Sequence, residues 1–142
     1  MLIRFDENTQ VFHLQGKTFS YIMQLKDGLL LHLYWGKKMP VGHHEALLFL
    51  PWEGASFDSA HSRWPLEVPT QEKGYYGQMA LRMQNSGGDD VVSLRYKAHR
   101  IMDGKPSLGS LPSARGDNAQ SLLLTLRDRI SGIMVELCYT IY

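Results

Sequence analysis

The sequence predicts an all-β protein, an antiparallel β-sandwich. Three observations carry that expectation. Short segments rich in β-branched, aromatic and alternating apolar residues recur along the chain, turn residues separate them, and helical periodicity is nearly absent. At 142 residues the chain is one domain's worth, long enough to bury a core without cross-links.

The elements follow in order. Val11 to Gln15 alternates apolar and polar positions, and Gly16-Lys17 supplies a connection. Thr18 to Lys26 is rich in β-branched and aromatic residues. Asp27-Gly28 then gives a strong short hairpin signal, because both central positions of a type I′ turn need positive φ. Leu29 to Trp35 is the return strand, so residues 11 to 35 form a meander. Regularity breaks from Gly36 to Gly77, a stretch holding four of the six prolines, Pro40, Pro51, Pro65 and Pro69, with Trp52, Phe57 and Trp64 interleaved. Connections this long are uncommon in compact domains and tend to be functional or disordered; the aromatics argue against simple disorder. Within it, Ala46 to Leu50 reads as a buried strand or a short helix. Gln78 to Gln84 is regular again, Asn85 to Asp90 is a polar turn, and Val91 to Met102 is its partner strand. Asp103-Gly104-Lys105-Pro106 breaks the chain, and Leu108 to Gln120 is loop. Ser121 to Asp128 alternates, Arg129 to Ser131 turns, and Gly132 to Tyr142 is a final strand. That last run stops on β-forming residues with no polar tail, where domains usually fray. The expectation is a sandwich continuing past Tyr142; the alternative is a central, well-paired strand.

Composition removes several function classes. Hydrophobic residues make up 44% and charged residues 20%, as in an ordinary globular chain. Fifteen basic against fourteen acidic residues leave a formal charge of +1, and Lys37-Lys38 is too short for a basic patch, so nucleic-acid binding has no electrostatic support. Cys138 is the one cysteine, which excludes an intrachain disulfide and a CxxC metal site; its setting reads as a small buried hydrophobe. No signal-peptide pattern opens the sequence, and no apolar stretch approaches the ~20 residues of a spanning helix. A soluble cytoplasmic protein with no membrane partner is the expectation.

Chemistry-bearing patterns are sparse. His43-His44 and His61 lack metal-ligand spacing, since adjacent strand histidines point to opposite faces, and a structural or solvent-facing role is the reading preferred. His13 and His32 read as satisfied strand histidines. No nucleophile elbow, phosphate-binding loop or dinucleotide fingerprint is present. Glycoside hydrolysis needs two carboxylates flanking one bond. Asp58, Glu67 and Glu72 have no spacing that fixes such a pair, and loop acids of this kind are usually solvated. Trp35, Trp52 and Trp64 could stack against sugar rings, but tryptophan in a sandwich is more often core. Residue chemistry thus stops at an all-β domain with one long aromatic loop.

The letters themselves go further. Phe12-His13-Leu14-Gln15, Thr18-Phe19-Ser20-Tyr21 and Leu30-Leu31-His32-Leu33-Tyr34-Trp35-Gly36-Lys37-Lys38 resemble, in order, the opening of family 36 α-galactosidases. Pro65-Leu66-Glu67-Val68-Pro69, Leu94-Arg95-Tyr96 through His99, Gly104-Lys105-Pro106 and Leu111-Pro112 are similar to later landmarks of that family. The resemblance implies an N-terminal β-supersandwich of the galactose-mutarotase-like kind, followed in the parent chain by a catalytic (β/α)8 barrel. It implies retaining hydrolysis of terminal α-galactosides such as melibiose and raffinose, with both catalytic aspartates in the barrel. Neither barrel motif occurs here. Residues 1–142 are therefore expected to be a single, incomplete N-terminal sandwich domain that needs no cofactor and does not catalyse alone.

The resemblance also implies partners, namely the barrel of the parent chain and further copies in a homo-oligomer. In tetrameric family members a loop of this domain reaches a neighbour's active site. Here that loop falls between Pro40 and Pro69. The sequence departs from the family pattern there, with Ser56-Phe57-Asp58-Ser59 and His61-Ser62-Arg63-Trp64. Phe57 is the counterpart offered, and Trp52, Asp58, Arg63 and Trp64 are the other substrate-proximal candidates. The rival reading is a stand-alone carbohydrate-binding module for a galactoside, with Trp52, Trp64 and Tyr75-Tyr76 as its stacking platform.

Overall fold

The computed structural model describes residues 2–50, 63–72, 77–107, 109 and 118–142. Among them are seven strands, β1 Ile3–Asp6, β2 Val11–Gln15, β3 Phe19–Lys26, β4 Leu29–Lys37, β5 Leu94–Asp103, β6 Gln120–Asp128 and β7 Met134–Ile141, and one 3₁₀ turn, His44–Leu47. They form two antiparallel sheets, ordered β1-β2-β3-β4 and β5-β6-β7. The expected all-β sandwich is what the chain builds, and the expected meander is three of the four strands of the first sheet.

Period-two alternation decides which side chains enter the core. Phe12 and Leu14 on β2 face Met23 and Tyr21 on β3, and Leu25 faces Leu30 on β4. These residues are buried in one cluster with Leu94, Leu122, Leu124, Leu126 and Ile141 of the other sheet. Phe12 stacks on Phe5 at 4.4 Å and meets His99 of β5 edge-on at 4.9 Å. A side chain ties the two sheets together, because Gln120 Oε1 accepts the amides of Leu2 and Ile3 at 3.0 and 2.8 Å.

The Asp27-Gly28 hairpin forms as its chemistry requires, with φ of 52° and 75°. A Cβ at residue 28 would meet nothing closer than Arg95 Cδ at 3.8 Å, so the constraint there is backbone conformation rather than space. Gly28→Ala is expected to destabilise by about 1–2 kcal/mol. Gly42→Ala, at ordinary φ with open space around it, is expected to leave the thermal midpoint near wild type.

Several sequence expectations are corrected. β1 pairs with β2 from Ile3↔Leu14 to Asp6↔Val11; its alternation spans only Ile3 and Phe5 and is too short to stand out. Residues 78–84 form no strand. Leu81 and Met83 pack on the core, with Arg82 between them exposed, so alternation arises there without a ladder. β5 pairs instead with β6, from Leu94↔Asp128 to Asp103↔Gln120. Cys138 is exposed, because Leu137, Tyr139 and Ile141 take the inward positions of β7 and Cys138 faces outward. Among the described residues β7 lies at the edge of its sheet rather than at its centre. Ala46–Leu50 holds the end of the 3₁₀ turn and no strand. Among the described residues no helix is long and apolar enough to cross a membrane.

Candidate functional site

The features that define a site gather where the segment after the aromatic loop returns to the first sheet. Leu66 bridges antiparallel to Leu31. His32 N–H donates to Pro65 O at 2.7 Å, and Glu67 N–H donates to Leu30 O at 2.9 Å. Pro65 has no N–H, so it can lie on a strand edge and offer only its carbonyl. Residues 63–72 thus form a strap along part of the open edge of β4. Its far end is fastened by Thr70 Oγ1 donating to Val92 O at 2.6 Å and by Glu72 lying 3.7 Å from the Arg95 guanidinium.

Alternation along the strap sends neighbouring side chains opposite ways. Trp64 is buried with Leu29 and Leu31, and Leu33, Leu48, Leu50 and Leu66 pack around it. This second apolar cluster lies on the outer face of the first sheet. It gathers residues from both flanks of segment 51–62, Leu48 and Leu50 before it and Trp64 and Leu66 after it. Glu67 turns the other way, toward the mouth between the sheets. Its Oε1 accepts Tyr21 O–H at 2.5 Å and Tyr139 O–H at 2.6 Å. Tyr21 belongs to β3 and Tyr139 to β7, so one carboxylate oxygen joins both sheets and the strap. Its Oε2 lies 3.7 Å from His32 Nδ1, and the Glu67 side chain is 10% exposed.

A β-bulge sets the rim of this mouth. Ile22 faces Tyr34 and Met23 faces His32, so Leu33 has no facing residue. The extra residue places Trp35 on the same side as His32, opposite Tyr21. Trp35 stacks on Phe19 at 5.7 Å and meets Tyr21 edge-on at 5.1 Å, while staying 68% exposed.

The chemistry available here is that of a clamp. Burial first, then the adjacent Glu67, push the phenols of Tyr21 and Tyr139 far above the ordinary tyrosine range, so both remain donors at neutral pH. Glu67 is held by two phenols beside an imidazole, and among the described residues no second carboxylate is paired with it, as glycoside hydrolysis requires.

The predicted site residues separate. Trp52, Phe57, Asp58, His61 and Tyr75-Tyr76 lie outside the described residues. Arg63 is exposed at the head of the strap. Trp64 is 6% exposed and serves as an anchor, with no face left for a sugar. Trp35, expected to be core, faces solvent. Glu67, expected to be solvated, is the clamp; its one sequence signal is an acid set between Leu66 and Val68 within two prolines. Tyr21 and Tyr139 carry no local signal. His43 is exposed, 3.1 Å from Glu45 Oε1, whereas His44 is buried. Among the described residues no group of three His, Cys, Asp or Glu could hold a metal ion.

Comparison with known proteins places this arrangement. The family model described as the glycosyl hydrolase family 36 N-terminal domain matches residues 28–142, which include β4, the strap and the whole second sheet. Alpha-galactosidase Mel36A of Lactobacillus acidophilus is 36% identical over 99% of this chain, and alpha-galactosidase AgaA of Geobacillus stearothermophilus is 34% identical over 100% of it. The solved galactosidase domain of the alpha-galactosidase-sucrose kinase AgaSK superposes with a TM-score of 0.88 at 30% identity over 98% of this chain. The chain spans 21% of the length of each of these three. Sequence and fold agree along the whole chain, and it belongs to glycoside hydrolase family 36, whose N-terminal domain it matches.

Proposed function

We propose that this chain is the non-catalytic N-terminal domain of a cytoplasmic α-galactosidase that hydrolyses terminal α-galactosides such as melibiose and raffinose. In that role the sandwich packs on a catalytic barrel of the same parent chain and takes part in a homo-oligomer. Trp52, Phe57, Asp58 and Arg63 help to shape a neighbouring subunit's sugar site, and Trp64 anchors the segment that carries Arg63. A variant of the relative AgaA has been solved in complex with raffinose and another with stachyose, which supports this substrate class.

The observation that carries the proposal is the clamping of both flanks of segment 51–62. Leu48, Leu50, Trp64 and Leu66 share one apolar cluster, and Glu67 fastens the strap to both sheets. Fixed flanks of this kind, on either side of residues 51–62, are the support that a positioning element beside a reacting centre needs.

The test is kinetic. In the full-length enzyme Phe57→Ala is expected to lower kcat/KM for melibiose about tenfold or more, the loss typical of a misplaced positioning contact. The oligomer should survive by sedimentation. An unchanged kcat/KM with an intact oligomer overturns the loop's role.

A further inference from the structure

Trp35 stands at the rim of the mouth between the sheets, outside the Glu67 clamp. Single exposed apolar side chains are ordinary on a protein surface, but this ring is held in place as well as exposed. A Cβ at residue 16 would come within 2.2 Å of the Phe19 ring, so glycine there lets that ring lie against the backbone. Trp35 stacks on Phe19 with the ring planes 19° apart, and Tyr21 meets it edge-on at 72°. Tyr21 is itself fixed by its bond to Glu67. Two rings thus orient the indole while 68% of the residue remains exposed. A surface ordered in advance loses little freedom when a ligand covers it.

A reachable polar group stands beside it. His32 lies against the same Tyr21 ring, with centroids 5.2 Å apart, and its side chain is 40% exposed. The Tyr21 hydroxyl hydrogen is spent on Glu67 Oε1, so the 3.3 Å contact between the Tyr21 oxygen and His32 Nδ1 calls for the imidazole hydrogen on Nδ1. Glu67 Oε2, 3.7 Å from Nδ1, favours the same tautomer. Nε2 then carries the lone pair of the neutral ring. Among the described residues it has no partner, and it is not a buried atom. Charges flank the two rings on either side, with Glu67 behind His32 and Lys37 facing Phe19 across the β3–β4 ladder. The first disfavours an anionic ligand and the second a cationic one. A plain aromatic ligand would cover the indole but shut Nε2 off from water without offering it a donor. A neutral ring with an apolar face for Trp35 and a hydroxyl at its edge for His32 meets all of these conditions.

We propose that Trp35 and His32 form a binding site for a neutral pyranose, whose hydroxyl-free C–H face covers the indole while a ring hydroxyl donates to His32 Nε2. The site uses none of residues 51–62 and no barrel, so it stands or falls separately from the function proposed above.

The test is titration of the full 142-residue chain with D-galactose, whose one axial ring hydroxyl leaves the opposite ring face apolar, read through the indole N–H resonances of its three tryptophans. A saturable shift of Trp35 is expected, with a dissociation constant in the millimolar range that suits a ligand of this size. The Trp64 resonance, buried under the strap, should stay still. Trp35→Ala changes an exposed side chain and should fold as wild type by circular dichroism, yet weaken binding at least tenfold. Trp35→Phe keeps a ring and His32→Phe removes Nε2; each is expected to weaken binding several-fold. Absence of saturation by about 100 mM galactose, or wild-type binding by Trp35→Ala, overturns the proposal. Equal binding of the acyclic polyol sorbitol overturns the pyranose assignment, and tighter binding of phenol than of galactose overturns the part given to His32.

Discussion

Replacing Glu67 with alanine is expected to destabilise the protein by about 2–4 kcal/mol, a large effect for a residue in an irregular segment. The change removes the carboxylate oxygen to which Tyr21 O–H and Tyr139 O–H donate at 2.5 and 2.6 Å, leaving Tyr21 only the longer contact to His32 Nδ1 at 3.3 Å. Tyr21 is 8% exposed, so water cannot readily replace the lost acceptor. A buried donor without a partner costs about 1–3 kcal/mol, more than the bond itself contributed net. Glu67→Gln keeps an acceptor oxygen and should lose less than half as much. Adding Tyr21→Phe and Tyr139→Phe to Glu67→Ala should recover part of the loss, since no orphaned donor then remains. Urea unfolding of the four proteins at constant m-value checks this. Equal stability of Glu67→Ala and wild type would show that the clamp bears no load.

Phe12→Ala is expected to cost about 3–5 kcal/mol, the range for deleting a fully buried ring. Phe12 is 0% exposed and touches Phe5 of its own sheet and His99 of the other. Its removal therefore opens a void at the seam where the sheets meet. His99, whose Nδ1 is hydrogen-bonded to the Tyr96 hydroxyl at 2.7 Å, is fixed from behind and cannot easily fill it. Domain stabilities run about 5–15 kcal/mol, so the variant should unfold tens of degrees lower or fail to fold at 37 °C. Ile130→Ala, 87% exposed in the β6–β7 turn, should stay within about 0.5 kcal/mol of wild type. A Phe12→Ala loss below about 1 kcal/mol would mean that the sheets do not depend on this seam.

The hairpins show how much of the fold is written locally. Asp27-Gly28 demands positive φ at two successive residues, and the alternation on either side fixes the register of β3 with β4. The Arg129–Ser131 turn does the same for β6 and β7, with Asp128 accepting the Ser131 amide at 2.7 Å. Family membership was legible as well, since the ordered motifs from Phe12 to Pro112 span nearly the whole chain. Partner choice at longer range was not. Residues 78–84 and β6 both alternate, and only β6 offers β5 a ladder, a choice made by which segment completes the core.

Burial was equally undecided where a strand has apolar residues on both faces. β7 carries Leu137 inward and Cys138 outward, and either could have been core. Trp35 and Trp64 are chemically the same, yet one is shifted by the bulge at Leu33 to the rim of the mouth between the sheets and the other is drawn under the strap. The Glu67 clamp brings together residues separated by 46 and 72 positions, and the His13–His44 pair, whose rings meet edge to face at 4.5 Å, joins a strand to a turn across the loop between them. Sequence by itself determined the fold class, the local hairpins and the family, because those rest on periodicity, turn φ requirements and ordered motifs within short windows. Tertiary structure alone decided strand partners, buried faces and both polar clusters, because each depends on which distant surfaces are removed from water together.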